Sequence, residues 1–245
     1  MKTLATFIIM ILIWALIMPA AGCTSESEKH LKAGAVFQNR WEYEEAIVEY
    51  DEAIHLDPNY TEAYYSRGLA YYKLDQLERA VQDYTEAIRL DPNYAHAYYN
   101  RGLAYYKLDQ LARAIQDFSE AIRLDPNYAH AYYNLGLAQY NLGHLERAIH
   151  EYSQAIHLDP DDITYYNNRG IAYFDLGRLE LAIQDYSQAI NLYSMYSEAY
   201  YNLGLAYKLL GEKTEAITNF ELFITYSRNS ELTQMVRQQI EELSK

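Results

Sequence analysis

The stretch at residues 91–124 reads DPNYAHAYYNRGLAYYKLDQLARAIQDFSEAIRL, and it decides how the rest of the chain is interpreted. When it is moved back by 34 residues onto residues 57–90, the two segments differ at only seven positions. A period of this size indicates a solenoid, in which each unit buries its apolar face only against its neighbours. The sequence therefore predicts an array of repeated units in place of ordinary globular domains.

The chain is acidic and rich in tyrosine. Its 245 residues include 34 Asp and Glu against 20 Lys and Arg, for a formal net charge of -14, and they include 28 Tyr. Phosphate backbones bind clustered cations, and no run of Lys or Arg occurs in the sequence. We therefore expect no nucleic-acid partner.

The first 22 residues have the features of an export signal. One lysine supplies a positive charge, residues 4–18 are apolar but for one threonine, and small residues lead to Cys23. The segment Ala20-Ala21-Gly22-Cys23 resembles the lipobox of bacterial lipoproteins. The resemblance implies cleavage before Cys23, lipidation of that residue, and a short tether over residues 24–26.

A lipid anchor and an uncleaved N-terminal transmembrane helix both remain open. Residues 4–22 are just long enough to cross a bilayer, whereas the position of the single cysteine, Cys23, favours lipidation. Both interpretations place the chain beyond residue 23 outside the cytoplasm, in the cell envelope. Thr24 stands where an inner-membrane retention signal carries Asp, so the resemblance implies the periplasmic face of the outer membrane in a Gram-negative cell.

Six units of 34 residues fit between residues 27 and 230. Place 8 of every unit, counted from its first residue, is Gly, and place 20 is always Ala. Small residues inside apolar-periodic segments indicate a close crossing of two helices, so each unit is predicted to be a helix hairpin. The units are 27–60, 61–94, 95–128, 129–162, 163–196 and 197–230, followed by a predicted capping helix at 231–245.

Each predicted hairpin has its own turn and stop signals. Place 15, between the two helices, is Trp41 in the first unit, Asp in the next two and Gly in the last three, and we predict a left-handed cap there. Asp-Pro follows the second helix at four junctions, and proline disfavours helix in the residue before it. Near the end of the array, Tyr193-Ser194 replaces Asp-Pro and Phe223 replaces a late Ala.

These recurring residues resemble the tetratricopeptide repeat family. In the third unit, the family signature of large residue, Gly, Tyr, Ala, aromatic, Ala and Pro falls on Tyr98, Gly102, Tyr105, Ala114, Phe118, Ala121 and Pro126. The resemblance implies an all-α, right-handed superhelical solenoid whose first helices line a concave groove. It also implies that places 2, 5, 6, 9, 12 and 13 of each unit face into that groove.

The predicted groove combines amides, aromatic rings and aliphatic side chains. An amide can donate to and accept from a peptide backbone, and an apolar wall suits a peptide or an amphipathic helix. Packing between units is the alternative explanation for such periodic residues. The predicted site residues are Asn100, Asn134, Asn168 and Asn202; Tyr65, Tyr99, Tyr133 and Tyr201; Leu69, Leu103, Leu137, Ile171 and Leu205; and Tyr106 and Tyr140.

We predict no catalytic site, cofactor or metal. The sequence has no nucleophile with a neighbouring base, no phosphate-binding Gly loop and no cysteine pair. His96 and His130 occupy equivalent places in adjacent units, but two His without a third ligand make a weak metal site. The sequence predicts a membrane-tethered scaffold, not an enzyme, that binds a peptide or helix of a partner protein in its groove.

Two other functions fit the same residues. The tyrosines can join copies of the chain into a structural homo-oligomer, such as a homodimer. They can also stack on the sugars of peptidoglycan, which would make the chain a glycan-binding envelope protein.

Overall fold

The structure, a computed structural model, describes residues 24–245, so the predicted export signal and Cys23 lie outside the described residues. Within this range the chain forms six consecutive helix hairpins and one final helix, and it contains no strand. The predicted all-α solenoid is confirmed, because each helix packs chiefly against its neighbours along the chain. The helices are α1 (Glu26–Asn39), α2 (Tyr43–Leu56), α3 (Thr61–Lys73), α4 (Leu77–Leu90), α5 (Ala95–Lys107), α6 (Leu111–Leu124), α7 (Ala129–Asn141), α8 (Leu145–Leu158), α9 (Ile163–Asp175), α10 (Leu179–Leu192), α11 (Ser197–Leu210), α12 (Lys213–Tyr226) and α13 (Ser230–Leu243).

Each hairpin closes around a glycine and an aromatic ring. Gly102 of α5 lies against Phe118 of α6, and a Cβ built on Gly102 would come within 2.7 Å of the ring carbon Cε1. The same contact recurs in all six hairpins, between place 8 and the Tyr or Phe at place 24. The Ala at place 20 is fully buried in every unit. The predicted close crossing is confirmed, since a side chain at place 8 would force the two helices apart.

The six turns inside the hairpins share one backbone conformation. Place 15 has a positive φ in every unit: between 71° and 80° for the three glycines, 58° for Asp75 and Asp109, and 68° for Trp41. The predicted left-handed caps are confirmed. Trp41 is unusual, because a bulky residue rarely adopts this conformation and its side chain is 78% exposed.

Aspartate ends the second helix of a hairpin. α4 ends at Leu90, and Asp91 turns to an extended backbone with φ -128° and ψ 96°. The Asp91 carboxylate then accepts a hydrogen bond from the N–H of Asn93 at 2.9 Å. Where Tyr193-Ser194 replaces Asp-Pro, Tyr193 adopts the same extended conformation and α10 ends at the equivalent leucine. Helix termination therefore survives the loss of proline at this junction.

The helix α13 covers the open end of the solenoid. Val236 of α13 is fully buried against Phe220 and Phe223 of α12. Phe223 stands where the other second helices carry Ala, and its ring centroid lies 5.4 Å from that of Tyr201. Within residues 24–245 the single helix α13 follows the sixth hairpin, and this helix and the larger side chain of Phe223 complete its core.

Three hairpins contain a buried ion pair that sequence reasoning missed. Arg101 of α5 donates through Nε and Nη2 to the two carboxylate oxygens of Asp117, both at 2.8 Å. Burial acts to lower the pKa of Arg101, but the hydrogen bond and charge of Asp117 outweigh it and raise that pKa. The equivalent pairs are Arg67–Asp83 and Arg169–Asp185.

Candidate functional site

The predicted groove residues follow one face of the row of first helices. All fifteen are partly exposed, so each contributes both to packing and to the surface. Leu103, Tyr99 and Tyr106, for example, pack on the buried cluster around Phe118 and keep part of their surface open. We call this row of fifteen residues the stripe. Its aliphatic and aromatic members form an apolar floor that continues from unit to unit.

The asparagines at place 6 form a ladder of hydrogen bonds along this face. The Nδ2 of Asn100, Asn134 and Asn168 donates to the hydroxyl of the place-5 tyrosine in the preceding unit, at 3.0, 3.1 and 3.2 Å. The same Nδ2 also donates to the backbone carbonyl four residues earlier, at 2.8 Å in each case. Both amide hydrogens are therefore used inside the solenoid.

This ladder corrects one part of the predicted chemistry. We expected the asparagine amides both to donate to and to accept from a bound backbone. Because their N–H groups are already bonded, only the Oδ1 atoms of Asn100, Asn134 and Asn168 remain to accept a hydrogen bond from a partner.

A second aromatic layer supports the tyrosines of the ladder. Tyr99 packs against Tyr128, the last residue of its own unit, with ring centroids 4.7 Å apart and the rings tilted by 38°, and Tyr65 packs in the same way against Tyr94 at 4.8 Å. Burial raises the pKa of Tyr99 to about 12. These phenols therefore stay neutral at physiological pH and act as hydrogen-bonding groups, not as charges.

A further set of contacts follows places 12 and 13. Asn141 donates to the hydroxyl of Tyr106 at 2.7 Å, and the hydroxyl of Tyr140 donates to Asp175 of the next unit. The ammonium of Lys107 lies 4.8 Å above the ring of Tyr72. From the second to the fifth unit, place 13 thus changes from cationic through neutral to anionic, in the order Lys73, Lys107, Asn141 and Asp175.

The fifth unit departs from this pattern and opens two hollows. Asn167 occupies place 5, and Asn202 of the next unit donates to its Oδ1 at 3.0 Å. A cavity of about 400 Å³ lies between α9, α11 and the start of α13, and Asn167, Ile171 and Tyr201 are among its lining residues. A smaller cavity of about 200 Å³ adjoins it and shares Ile171 and Asn202.

The family of the chain follows from its repeats. A family model described as TPR repeat matches residues 42–75, 68–109, 105–143, 140–177 and 172–211, and one described as Tetratricopeptide repeat matches residues 197–230. Together these matches cover more than half of the chain. The chain belongs to the tetratricopeptide repeat family. The sequence-based resemblance is thereby confirmed for the repeats.

Solved structures of tetratricopeptide proteins superpose on this solenoid. MamA is 30% identical, with 65% of this chain and 93% of MamA covered and a TM-score of 0.63. YrrB, a TPR protein with an unusual peptide-binding site, is 22% identical over 77% of this chain and 97% of its own, with a TM-score of 0.67. PilF of Pseudomonas aeruginosa is 17% identical over 87% and 97%, with a TM-score of 0.74. A search of curated proteins gave no significant match.

The two histidines of the tetratricopeptide groove have separate partners. The Nδ1 of His96 lies 3.2 Å from the hydroxyl of Tyr128, and the Nδ1 of His130 lies 2.7 Å from that of Tyr165. Within residues 24–245, no three His, Cys, Asp or Glu side chains gather as metal ligands. No helix in the same range has the length and hydrophobicity to cross a membrane.

Several residues of the site were not anticipated from sequence. The tyrosine at place 34, such as Tyr94 or Tyr128, belongs to the aromatic layer although it precedes the next first helix. Asp162 stands at place 34 of the fourth unit, and Tyr165 of the fifth unit packs against Tyr133 in place of the missing tyrosine, with ring centroids 4.9 Å apart. The sequence does contain a signal of this change, because the regular repeat loses a tyrosine at residue 162 and gains one three residues later.

Proposed function

We propose that the chain is a membrane-tethered scaffold whose groove binds a peptide or helix of a partner protein. The observation that carries the proposal is the continuous, half-buried stripe of aromatic and aliphatic side chains on the first helices, which ends in two cavities. A surface that keeps apolar side chains partly open along several units suits an extended or helical segment. Membership of the tetratricopeptide family supports this kind of partner.

The polar groups of the groove favour a partner that presents N–H donors. The ladder leaves the Oδ1 atoms of Asn100, Asn134 and Asn168 as acceptors at regular intervals. The charge change at place 13, from Lys107 to Asp175, would orient a bound segment by its own charges.

The membrane tether rests on the N-terminal sequence. Small residues before Cys23 favour a lipid anchor in the cell envelope, and α1 begins at Glu26, only a few residues later. Under the lipobox interpretation we expect the mature chain to begin at Cys23 and to carry acyl groups, as intact-mass spectrometry of the membrane-extracted protein would show. A mass that includes residues 1–22 and no acyl group would mean that an uncleaved helix anchors the chain.

Site-specific photo-crosslinking in native membranes tests the groove. A photoreactive residue at Asn141, exposed at place 13, is compared with one at Gln184, exposed at place 22 on a second helix. We expect Asn141 to crosslink to a discrete partner protein, because it flanks the stripe, and Gln184 to give no such product. The added substitution Leu137→Asp should abolish the product, since it places a charge in the apolar floor.

The same experiment separates the alternatives. A product of twice the chain mass from Asn141 would indicate the homo-oligomer, and retention on purified peptidoglycan without a protein product would indicate the glycan binder. Partner crosslinks from Gln184 that are absent from Asn141 would contradict the proposed groove.

A further inference from the structure

The larger cavity exists where the tyrosine ladder is interrupted. Units two, three, four and six carry tyrosine at place 5, but the fifth unit carries Asn167. Asparagine lacks the aromatic ring, and the space beside it remains open as the cavity of about 400 Å³. Ile171, Phe223 and Leu232 supply apolar surface to its lining. The hollow is therefore a local feature of this chain and not a general property of the repeat.

Two hydrogen-bonding groups at this cavity lack partners among residues 24–245. Asn167 is only 6% exposed, and its Oδ1 is bonded to Asn202, but its Nδ2 has no acceptor. The hydroxyl of Tyr201 has no donor among the described residues, because α13 follows the sixth hairpin and supplies no asparagine of the kind that bonds the equivalent tyrosines. The amide donor of a largely buried residue and a tyrosine hydroxyl without its asparagine thus line the same hollow.

We propose that this cavity receives the side-chain carboxamide of a glutamine or asparagine from the bound polypeptide. The ligand amide would donate to the Tyr201 hydroxyl, as Asn134 donates to Tyr99 three units earlier in the array. Its oxygen would accept from the Nδ2 of Asn167, while its methylene groups contact Ile171. The inference rests on the proposed function, because it needs a polypeptide in the groove.

Other side-chain types fit this cavity less well. A carboxylate would meet the carboxylate of Glu198, which also lines the hollow, and Asp175, which lines the adjoining cavity. An ammonium group would be attracted to Glu198 but cannot accept a hydrogen bond from Asn167. A purely apolar side chain would leave both Asn167 and Tyr201 without partners. Of the four side-chain types compared, only the carboxamide bonds to both groups and remains neutral.

A randomised peptide library tests the assignment on the full chain, purified in a mild detergent. Peptides are selected against the unaltered protein and then measured by calorimetry. Two variants alter the cavity: Asn167→Tyr restores the residue that the other units use and fills the space, and Asn167→Leu keeps the size but removes the amide. Gln184→Ala, on an exposed second-helix position, is the matched control. Circular dichroism verifies that each variant remains folded.

We expect the selected peptides to share Gln or Asn at one position. Replacing that residue by Glu or Leu in the peptide, or Asn167 by Tyr or Leu in the protein, should weaken binding by about tenfold or more, with Gln184→Ala unchanged. Peptides that bind without a shared carboxamide, or equally well to both Asn167 variants, would overturn the inference and leave the proposed function standing. If no peptide binds at all, the proposed function fails and this inference fails with it.

Discussion

At the scale of single residues, the repeat allows the same position to be compared in different surroundings. Place 23 carries Asp185 in the fifth unit, where Arg169 binds both of its oxygens, but Glu151 in the fourth unit, where Leu135 replaces the arginine. Burial raises the pKa of Glu151, and the neighbouring His150 offsets this only in part. The fourth unit therefore contains a half-buried carboxyl group whose ionisation is unfavourable.

The substitution Glu151→Gln should stabilise the protein at neutral pH. The folded-state pKa of Glu151 lies above the unfolded value near 4.5, so the unfolded chain ionises first as the pH rises and the free energy of unfolding falls. The destabilisation caused by ionised Glu151 reaches its full value above the folded-state pKa and is absent well below pH 4.5. We expect a gain under about 1 kcal/mol at pH 7, limited by solvent screening, that disappears in acid. Thermal melts of both proteins at the two pH values measure it.

The matched substitution Asp185→Asn should have the opposite effect. Burial raises the pKa of Asp185 as well, but its substitution leaves Arg169 largely buried without its carboxylate, and breaking such a pair costs about 3 kcal/mol or more. If both substitutions destabilise the protein equally at pH 7, the carboxyl group of Glu151 is not strained by its surroundings.

At the scale of elements, the turn of the first hairpin is the least favourable of the six. Trp41 holds a φ of 68° that costs a residue with a Cβ roughly 1–2 kcal/mol, and its exposed ring recovers little of this by packing. The equivalent turns of the last three hairpins use glycine, which has no such cost.

We therefore expect Trp41→Gly to raise the free energy of unfolding by about 1 kcal/mol. Chemical denaturation followed by circular dichroism measures the change. The reverse substitution, Gly143→Trp, should lower stability by a similar amount, because the turn of the fourth hairpin has a φ of 76°. A loss of stability in Trp41→Gly would mean that the indole makes contacts worth more than the backbone strain.

The helices were predictable from sequence, whereas their mutual contacts were only partly so. The hairpins followed from residue type and spacing, because local chemistry marks the helix crossing at Gly102 and Ala114 and the helix ends at the Asp-Pro pairs. The donor of Asn134 is used by Tyr99, 35 residues away, and the sequence period gives no information on the direction of a side-chain amide. For the same reason the ion pair of Arg101 with Asp117 was missed, although its spacing of 16 residues recurs in three units.

At the scale of the whole molecule, each hairpin is stabilised mainly by the elements that pack on either side of it. The sixth hairpin is followed by the single helix α13, which buries Val236 against Phe220 and Phe223. Units in the middle of the array, by contrast, are covered on both sides.

Deletion of residues 230–245 should therefore loosen the array from its C-terminal end. Removing α13 exposes the ring of Phe223, which is 3% exposed in the intact chain. Hydrogen exchange should show loss of protection in α11 and α12 while α3 to α6 keep theirs, because repeat stability is governed by nearest neighbours. Uniform loss of protection through all six hairpins would show that the array unfolds as a single cooperative unit.

The bonds from Asn100, Asn134 and Asn168 to the tyrosine of the preceding unit also have a mechanical consequence. They join the first helices of successive units, which the family resemblance places on the concave side of the superhelix, where straightening separates neighbouring units most. A force that pulls the two ends apart must break these hydrogen bonds before it separates the second helices of the hairpins. The array should accordingly resist extension more stiffly than further closure and keep its curvature under load.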